Sequence, residues 1–323
     1  MPNTTAVRTA QVGAAPFFAG KNKIINGDFG IWQRGTSISV AAGGNVFTAD
    51  RWQALITGTT CTASQQTFTP GTAPVTGYEG LYFHRIATGA STTYYELQQR
   101  IEDVRTLAGQ TATYSFWAKA SNAHTATVYI NQYFGVSGSA NVGTAGQNIS
   151  LTTSWQRFTL TFTLGSMSGK TIGASSYINP FIYYASGTVA STNIDIWGVQ
   201  LESGSTATAF QTATGTLAGE LAACQRYYSF NVAGGGISTS TTGGVASVAA
   251  PVTMRVAPTV TLVNGTGAAA EYTIAYRNIT SIVAAEKVDT SGAMAITYNA
   301  SAFTNTFRFV GTLGNTFSFS SEL

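Results

Sequence analysis

Three stretches of the chain carry residue types that elsewhere do phosphate chemistry. Residues 23–35 read KIINGDFGIWQRG, and Asp28-Phe29-Gly30 is the tripeptide that holds magnesium in protein kinases. A kinase also needs a glycine-rich loop, a strand lysine and an H-R-D loop with a downstream asparagine. The two histidines, His84 and His124, are followed by Arg-Ile and Thr-Ala, so neither brings the catalytic aspartate and kinase chemistry is excluded. Residues 165–171 read GSMSGKT, one residue short of a phosphate loop, and IGASSYINPF after them offers no helix N-terminus to a phosphate. Residues 265–270, GTGAAA, imitate part of a dinucleotide fingerprint but are followed by EYTIAYR, which has strand period, and read as a turn. There is no Cys/His cluster and no G-x-S-x-G elbow for a zinc or nucleophile scheme. Carboxylates are what remain. Glu102 and Asp103 are adjacent, but IEDVRTLAGQ reads as a solvated loop leading into a strand. The expectation is a chain that is not an enzyme, with glycoside hydrolysis by a spatial carboxylate pair as the catalytic alternative.

A second chemistry is better supplied. Sugars are held by aromatic rings against their apolar faces and by Asn, Gln, Asp or Arg on their hydroxyls. TYYELQQR (93–100) and YINQYF (129–134) interleave tyrosine with such groups, so Tyr95, Gln99, Tyr129, Asn131 and Tyr133 are expected to line one sheet face. Core or subunit-interface packing is the plainer reading of each aromatic taken singly. Trp32, Trp52, Trp117, Trp155 and Trp197 are expected in the core. Cys61 and Cys224 are expected as reduced, buried thiols, because one possible pair is no disulfide framework.

Composition sets the frame that positions these groups. Charged residues are 9% of the chain, against about 25% in ordinary globular proteins, so the surface is built from Thr, Ser, Asn, Gln and Gly. The net charge of +3 comes without a block of Lys or Arg, which argues against nucleic acid as a partner. The N-terminus does not read as a signal peptide, and no run of 18 apolar residues provides a membrane span. A length of 323 residues fits two domains.

Residues 1–22 have no apolar period and read as an arm that docks on a partner. The segment around NGDF reads as the first strand of a β domain. WQRFTLTFTL (155–164) places Phe158, Leu160, Phe162 and Leu164 on one face and Arg157, Thr159, Thr161 and Thr163 on the other. TYSFWAKA (113–120) and TATVYINQYF (125–134) are expected to pair through SNAH. NIDIWGVQLE changes its apolar face partway, which predicts a bulge at Gly198. A helix is expected over 216–228 with Leu217, Leu221, Cys224 and Tyr228 as its apolar stripe. Residues 229–323 open with a Gly/Ser/Thr tract expected as loop, followed by strands including PVTMRV (251–256).

INGDFGIWQRG (25–35), TADRW (48–52), QQRIEDVRTLAGQTATYSFWAKA (98–120), TTSWQRFTLTFTL (152–164), GKTIG (169–173), NIDIWGVQLESGSTATAFQ (193–211) and GELAACQRYY (219–228) together resemble the tail-fibre or receptor-binding proteins of tailed bacteriophages. PVTMRVAPTV (251–260) is similar to the segment that opens the C-terminal domain of such fibres. The resemblance implies an all-β chain: a carbohydrate-binding-module-like jelly-roll β-sandwich over 23–212, a short linking helix over 213–228, and a second, smaller antiparallel β domain over 229–323. It implies a virion protein made in the host cytoplasm, a homotrimer attached to other virion proteins through residues 1–22, that meets a host surface glycan. Its distal, loop-rich C-terminal domain is the expected receptor-binding end. Modules of this kind often carry a structural calcium, for which Asp28, Asp195 and Glu202 are the expected ligands. The alternatives are a decoration or fibre component of head, neck or tail with an assembly role alone, and a polysaccharide depolymerase.

Overall fold

The computed structural model describes residues 19–75, 78–184, 191–232, 234–240, 243–262, 267–271, 275–287, 293–300, 309–312 and 317–323. The arm expected over 1–22 therefore lies outside the described residues up to 18. Where apolar and polar residues alternate, strands form, and the described chain falls into two compact units. The first comprises the described residues of 19–30, 37–46 and 52–220; the second takes 31–36, 47–51 and those from 221 onward. No described helix is long and apolar enough to cross a membrane.

The first unit is a β-sandwich of two antiparallel sheets. One has the order β1-β4-β5-β14-β8-β12, made by β1 (Ser37–Val40), β4 (Cys61–Thr67), β5 (Tyr82–Ala87), β14 (Asn193–Ser203), β8 (Thr111–Ala120) and β12 (Gln156–Thr163). The other has the order β10-β9-β13-β6-β3-β2, made by β10 (Val142–Gly143), β9 (His124–Tyr133), β13 (Tyr177–Tyr184), β6 (Tyr94–Gln98), β3 (Gln53–Thr57) and β2 (Asn45–Phe47). Two further strands join it: β11 (Gln147–Leu151) pairs with β9, and β7 (Ile101–Glu102) with β13. Tyr114, Phe116, Ile194 and Ile196 of the first sheet and Tyr95, Val128, Ile130, Ile182 and Tyr184 of the second are all buried and form the core. On β12 Leu160 and Phe162 are buried while Thr159, Thr161 and Thr163 are exposed, as the alternation requires.

Gly198 is the expected bulge. The register between β14 and β8 shifts between Trp197 and Gln200, and Gly198 sits at φ 64°, where side chains are rarely tolerated. A Cβ there would also lie 2.7 Å from the Trp117 ring. Before the shift Ile194 and Ile196 point inward, and after it Leu201 does, opposite Tyr114. Trp197, opposite Trp117, lies on the other face in an aromatic cluster with Phe68, Phe83, Trp117 and Phe210, at whose margin Trp155 packs. Trp32 and Trp52 are buried as expected.

Several expectations are corrected. The NGDF segment is no strand: Asn26 and Phe29 have φ of 57° and 56°, and the segment runs as a strap along β14, with Val199 N–H donating to Gly27 O at 2.8 Å. That strap begins before residue 22, since Gly20 N–H bonds Ala213 O and Asn22 is fully engaged. TYSFWAKA and TATVYINQYF do not pair, because β8 already has β12 and β14 on its two edges; the connection between them carries the chain to the opposite sheet. The helix, α1 (Leu217–Gln225), does not bury a leucine stripe. Leu217 is 72% exposed, whereas Glu220 and Cys224 are buried. The Glu220 carboxylate accepts from Asn26 N–H (2.7 Å), Thr214 N–H (2.7 Å) and Thr214 Oγ1 (2.9 Å), so hydrogen bonding and not apolar period orients the helix. Tyr228 belongs to the strand that follows. Cys61 and Cys224 are both buried free thiols.

The second unit contains a three-stranded sheet, β15 (Tyr228–Val232), β23 (Phe317–Ser320) and β18 (Thr259–Leu262) in the order β15-β23-β18. A closed antiparallel barrel follows the order β16-β17-β21-β20-β19-β22, from β16 (Gly234–Ser240), β17 (Gly243–Ala249), β19 (Gly267–Glu271), β20 (Ala275–Lys287), β21 (Ala293–Ala300) and β22 (Phe309–Thr312). Part of the Gly/Ser/Thr tract expected as loop is thus paired strand, as is much of GTGAAA, whereas PVTMRV is not a strand.

The second unit also buries an ionic knot. Glu322 pairs with Arg34 (3.2 Å) and, at closer range, with Arg51. The two guanidinium groups lie 3.5 Å over the Tyr228 ring and 3.4 Å over the Tyr227 ring. Asp50 accepts from the backbone N–H of Gln33 (2.9 Å) and from its side-chain amide, and burial pushes its carboxyl up to about 6. Replacing Glu322 by Ala leaves the buried Arg51 without its carboxylate and is expected to cost about 3–5 kcal/mol, read as a lower urea midpoint of the second unit. Asp50 adds a pH signature. Its folded pKa lies above the unfolded value of 3.8, so its contribution is fully present below about pH 3.8 and is lost as pH rises through about 6. Carboxyl carbon NMR of Asp50 is expected to titrate near pH 6; a midpoint near 4 contradicts the assignment.

Candidate functional site

Strand alternation brings one set of side chains to the outer face of the eight-stranded sheet. They are Thr127, Tyr129, Asn131 and Tyr133 of β9; Tyr177, Asn179, Phe181 and Tyr183 of β13; Tyr94, Glu96 and Gln98 of β6; and Gln53 of β3. The register sets them in rungs. Tyr133 lies opposite Tyr177, Asn131 opposite Asn179 and Tyr129 opposite Phe181. The opposed rings stack, Tyr133 on Tyr177 at 4.7 Å and 20°, Tyr129 on Phe181 at 5.1 Å and 14°. Tyr94 meets Tyr183 edge-on at 5.0 Å, and the Arg100 guanidinium lies 5.1 Å from the Tyr177 ring.

A chain of amides runs diagonally across the rungs, from the Asn131–Asn179 rung to Gln98 and Gln53, which continue the rung of Tyr129 and Phe181. Asn179 Nδ2 donates to Gln98 Oε1 (2.5 Å) and Gln98 Nε2 to Gln53 Oε1 (3.0 Å), while Asn131 Nδ2 reaches the Tyr133 hydroxyl at 3.5 Å. Gln53, Gln98 and Asn179 are buried because the rings on either side shade them. Asn179 Oδ1 is buried and finds no protein donor. Such an atom ordinarily costs about 1–3 kcal/mol.

The electrostatics are mild. Burial raises the Glu96 carboxyl above its ordinary range, against the pull of the Tyr94 hydroxyl that donates to it and of the nearby Arg100. Burial, and then Glu96 itself, raise the Tyr94 hydroxyl. Burial also raises Tyr177. The carboxylates of this face are far apart. Glu96 stands opposite Tyr183 and Glu102 opposite Tyr177, so they are separated along β13 by about 20 Å at the usual strand rise. Glycosidase pairs stand about 5–9.5 Å apart. His84 is no base either, since it is fully buried and burial pushes it down to about 3.

Of the residues expected here, Tyr129, Asn131 and Tyr133 are brought together and half-buried. Tyr95 and Gln99 are not on this face. Tyr95 is buried in the core, stacked on Tyr184 at 5.5 Å. The Gln99 amide is spent on the strap, accepting from Ile25 N–H and donating to Ile25 O, both at 2.8 Å. In TYYELQQR the outward set is Tyr94, Glu96 and Gln98, so the parity was read one residue out. Tyr177, Asn179, Phe181 and Tyr183 were missed, although YINPFIYY carries the same alternation.

The expected calcium ligands are dispersed. Asp195 is held by Arg85 through two bonds of 2.6 and 2.7 Å and by Lys119 at 3.6 Å. Glu202 accepts from Gln200 (2.6 Å), from Thr208 N–H and Oγ1 (both 2.8 Å) and faces Lys21 at 3.3 Å; against the penalty of burial, these bonds hold its carboxyl below the usual range. Asp28 lines a separate cavity. Among the described residues no group of three His, Cys, Asp or Glu could hold a metal ion.

No protein-family model and no curated protein matches the sequence. Among solved structures, similar chains include the enzymatically active domain of bacteriophage CBA120 tailspike protein 4, with 16% identity over 57% of this chain and 21% of that one and a TM-score of 0.37. A putative sugar binding protein from Bacteroides thetaiotaomicron matches at 14% identity over 57% of this chain and 100% of its own, TM-score 0.34. The family 11 carbohydrate-binding module from Clostridium thermocellum, solved with a β-1,3-1,4-mixed-linked tetrasaccharide, matches at 12% identity over 52% and 95%, TM-score 0.30.

The two parities of β6 and its flank make opposite predictions for stability. Gln99→Ala, which strands both polar groups of Ile25, is expected to lower unfolding free energy by about 2–3 kcal/mol. Tyr133→Ala, on the outer face, is expected to cost about 1 kcal/mol or less. Equal losses in denaturant titrations contradict the assignment of faces.

Proposed function

We propose that this chain is a non-enzymatic attachment protein of a tailed-phage particle, and that its sandwich holds a host surface glycan on the outer face of the eight-stranded sheet. The observation that carries the proposal is the chain of amides set among stacked aromatic pairs. Each primary amide offers a donor and an acceptor, the pairing that neighbouring sugar hydroxyls need. The flanking rings give apolar walls, and because they are already stacked across strands, little side-chain freedom is lost on binding. The virion role is supported by the separated sequence blocks, INGDFGIWQRG to GELAACQRYY, that resemble tail fibres. The separation of about 20 Å along β13 between Glu96 and Glu102 favours holding a glycan over cutting it.

The sequence alone pointed to residues 229–323 as the receptor-binding end. Most of their side chains lie outside those described, so the binding chemistry that can be named is on the sandwich. Trimeric assembly, docking through residues 1–22 and location on the tail belong to the same proposal. A glycan array probed with the purified full chain, followed by titration of the best glycan, tests it. Tyr129→Ala and Tyr133→Ala are each expected to weaken binding about tenfold, while exchange of residues 229–323 for another fibre's domain leaves it unchanged. Binding that follows the exchanged domain and ignores the tyrosines would place the receptor site elsewhere.

A further inference from the structure

The first unit has a cavity of about 610 Å³ that shares no lining residue with the aromatic face. This is the size range of small-ligand sites. Tyr78, Tyr82, Leu81 and Leu217 give it apolar walls, and Asp28 and Glu79 are its acidic groups. No Lys, Arg or His lines it. Two of the apolar side chains stay largely in water, Leu81 67% and Leu217 72% exposed, although a folded chain gains by covering such groups. A third carboxylate stands behind the lining: Glu220 is close enough to Asp28 to raise its carboxyl, after burial, and both raise Tyr78, which burial first pushes up to about 12.

A second observation comes from the wall. Gly80, a lining residue, packs directly on the Trp197 indole, where a Cβ would lie 2.9 Å from Nε1. Trp197 is fully buried behind this glycine and is not itself a lining residue, so the wall is packed tight on that side. The cavity therefore combines an excess of negative charge with uncovered apolar side chains.

We infer that this cavity binds an organic ammonium group carried on a short apolar frame, with the cation on Asp28 and the frame against Leu81, Leu217 and Tyr82. An inorganic ion would leave the leucines uncovered, a neutral apolar ligand would leave the carboxylates without a counter-charge, and an anion would be repelled. Two sources share this chemistry: an amino sugar and a lysine side chain. Their frames differ, so they are separable.

Isothermal titration of the full chain with n-pentylammonium and with n-pentanol reads the charge requirement directly. The ammonium is expected to bind with a dissociation constant of about millimolar and the alcohol at least about tenfold more weakly. Asp28→Asn keeps an acceptor for the backbone but removes the charge, and Leu217→Lys adds a like charge at an exposed position that folding does not need. Each is expected to weaken the ammonium about tenfold or more, whereas Tyr133→Ala on the glycan face leaves it unchanged. Glucosamine and N-acetyl-lysine methylamide then identify the source by which binds more tightly. The inference is overturned if pentylammonium gives no saturable binding, if pentanol binds as well, or if both variants keep the affinity of the parent chain.

Discussion

A primary amide carries the same donor and acceptor as a peptide unit, and the irregular parts of this sandwich are fastened by buried amides used in that way. Asn22 accepts from the N–H groups of Ile24 and Leu201 and donates to the carbonyls of Val199 and Gln211. Gln99 bridges both polar groups of Ile25, and Gln132 both polar groups of Gly165. Each lets a segment that is not a strand lie against the sandwich without stranding its backbone, which a buried loop could not otherwise do. Amides take the place that ion pairs hold in more ordinary surfaces and interiors, and they do so without the cost of burying ions.

What the sequence revealed follows from the same physics. Alternation is a local signal, so the strands and their two-faced character were legible, and the change of face at Gly198 announced its bulge. Pairing is not local. Nothing in TYSFWAKA says that both its edges will be taken by β12 and β14, and the short SNAH connection invited a hairpin that the sheet order forbids. The strap around NGDF escaped because its apolar residues have strand-like spacing while its geometry is set by Asn22 and by the β14 backbone. Parity was the least legible feature of the site: in Tyr94-Tyr95-Glu96 either tyrosine can be the outward one, and only the stacking of Tyr95 on Tyr184 in the core decides it.

The two sites described are chemically opposite. The aromatic face offers many weak, neutral contacts spread over several strands, suited to a polymer whose repeats can slide along the rungs. The Asp28 cavity offers two carboxylates, Asp28 and Glu79, in a confined space, suited to a single group. The ionic knot of Arg34, Arg51, Asp50 and Glu322 is different again, because its charges are buried against tyrosine rings and are used on one another.

Amide fastening also decides how such a protein ages. Amides do not titrate and carry no net charge, so the contacts of Asn22 and Gln99 hold through changes of acidity and salt that would loosen an ion pair. Its weakness is hydrolysis. Conversion of Asn22 to aspartate would turn the two donors that face Val199 O and Gln211 O into acceptors, setting oxygen against oxygen at the point where the chain enters the sandwich. A single slow covalent event there would undo amide contacts that neither acid nor salt disturbs, and in long storage they would be lost one chain at a time.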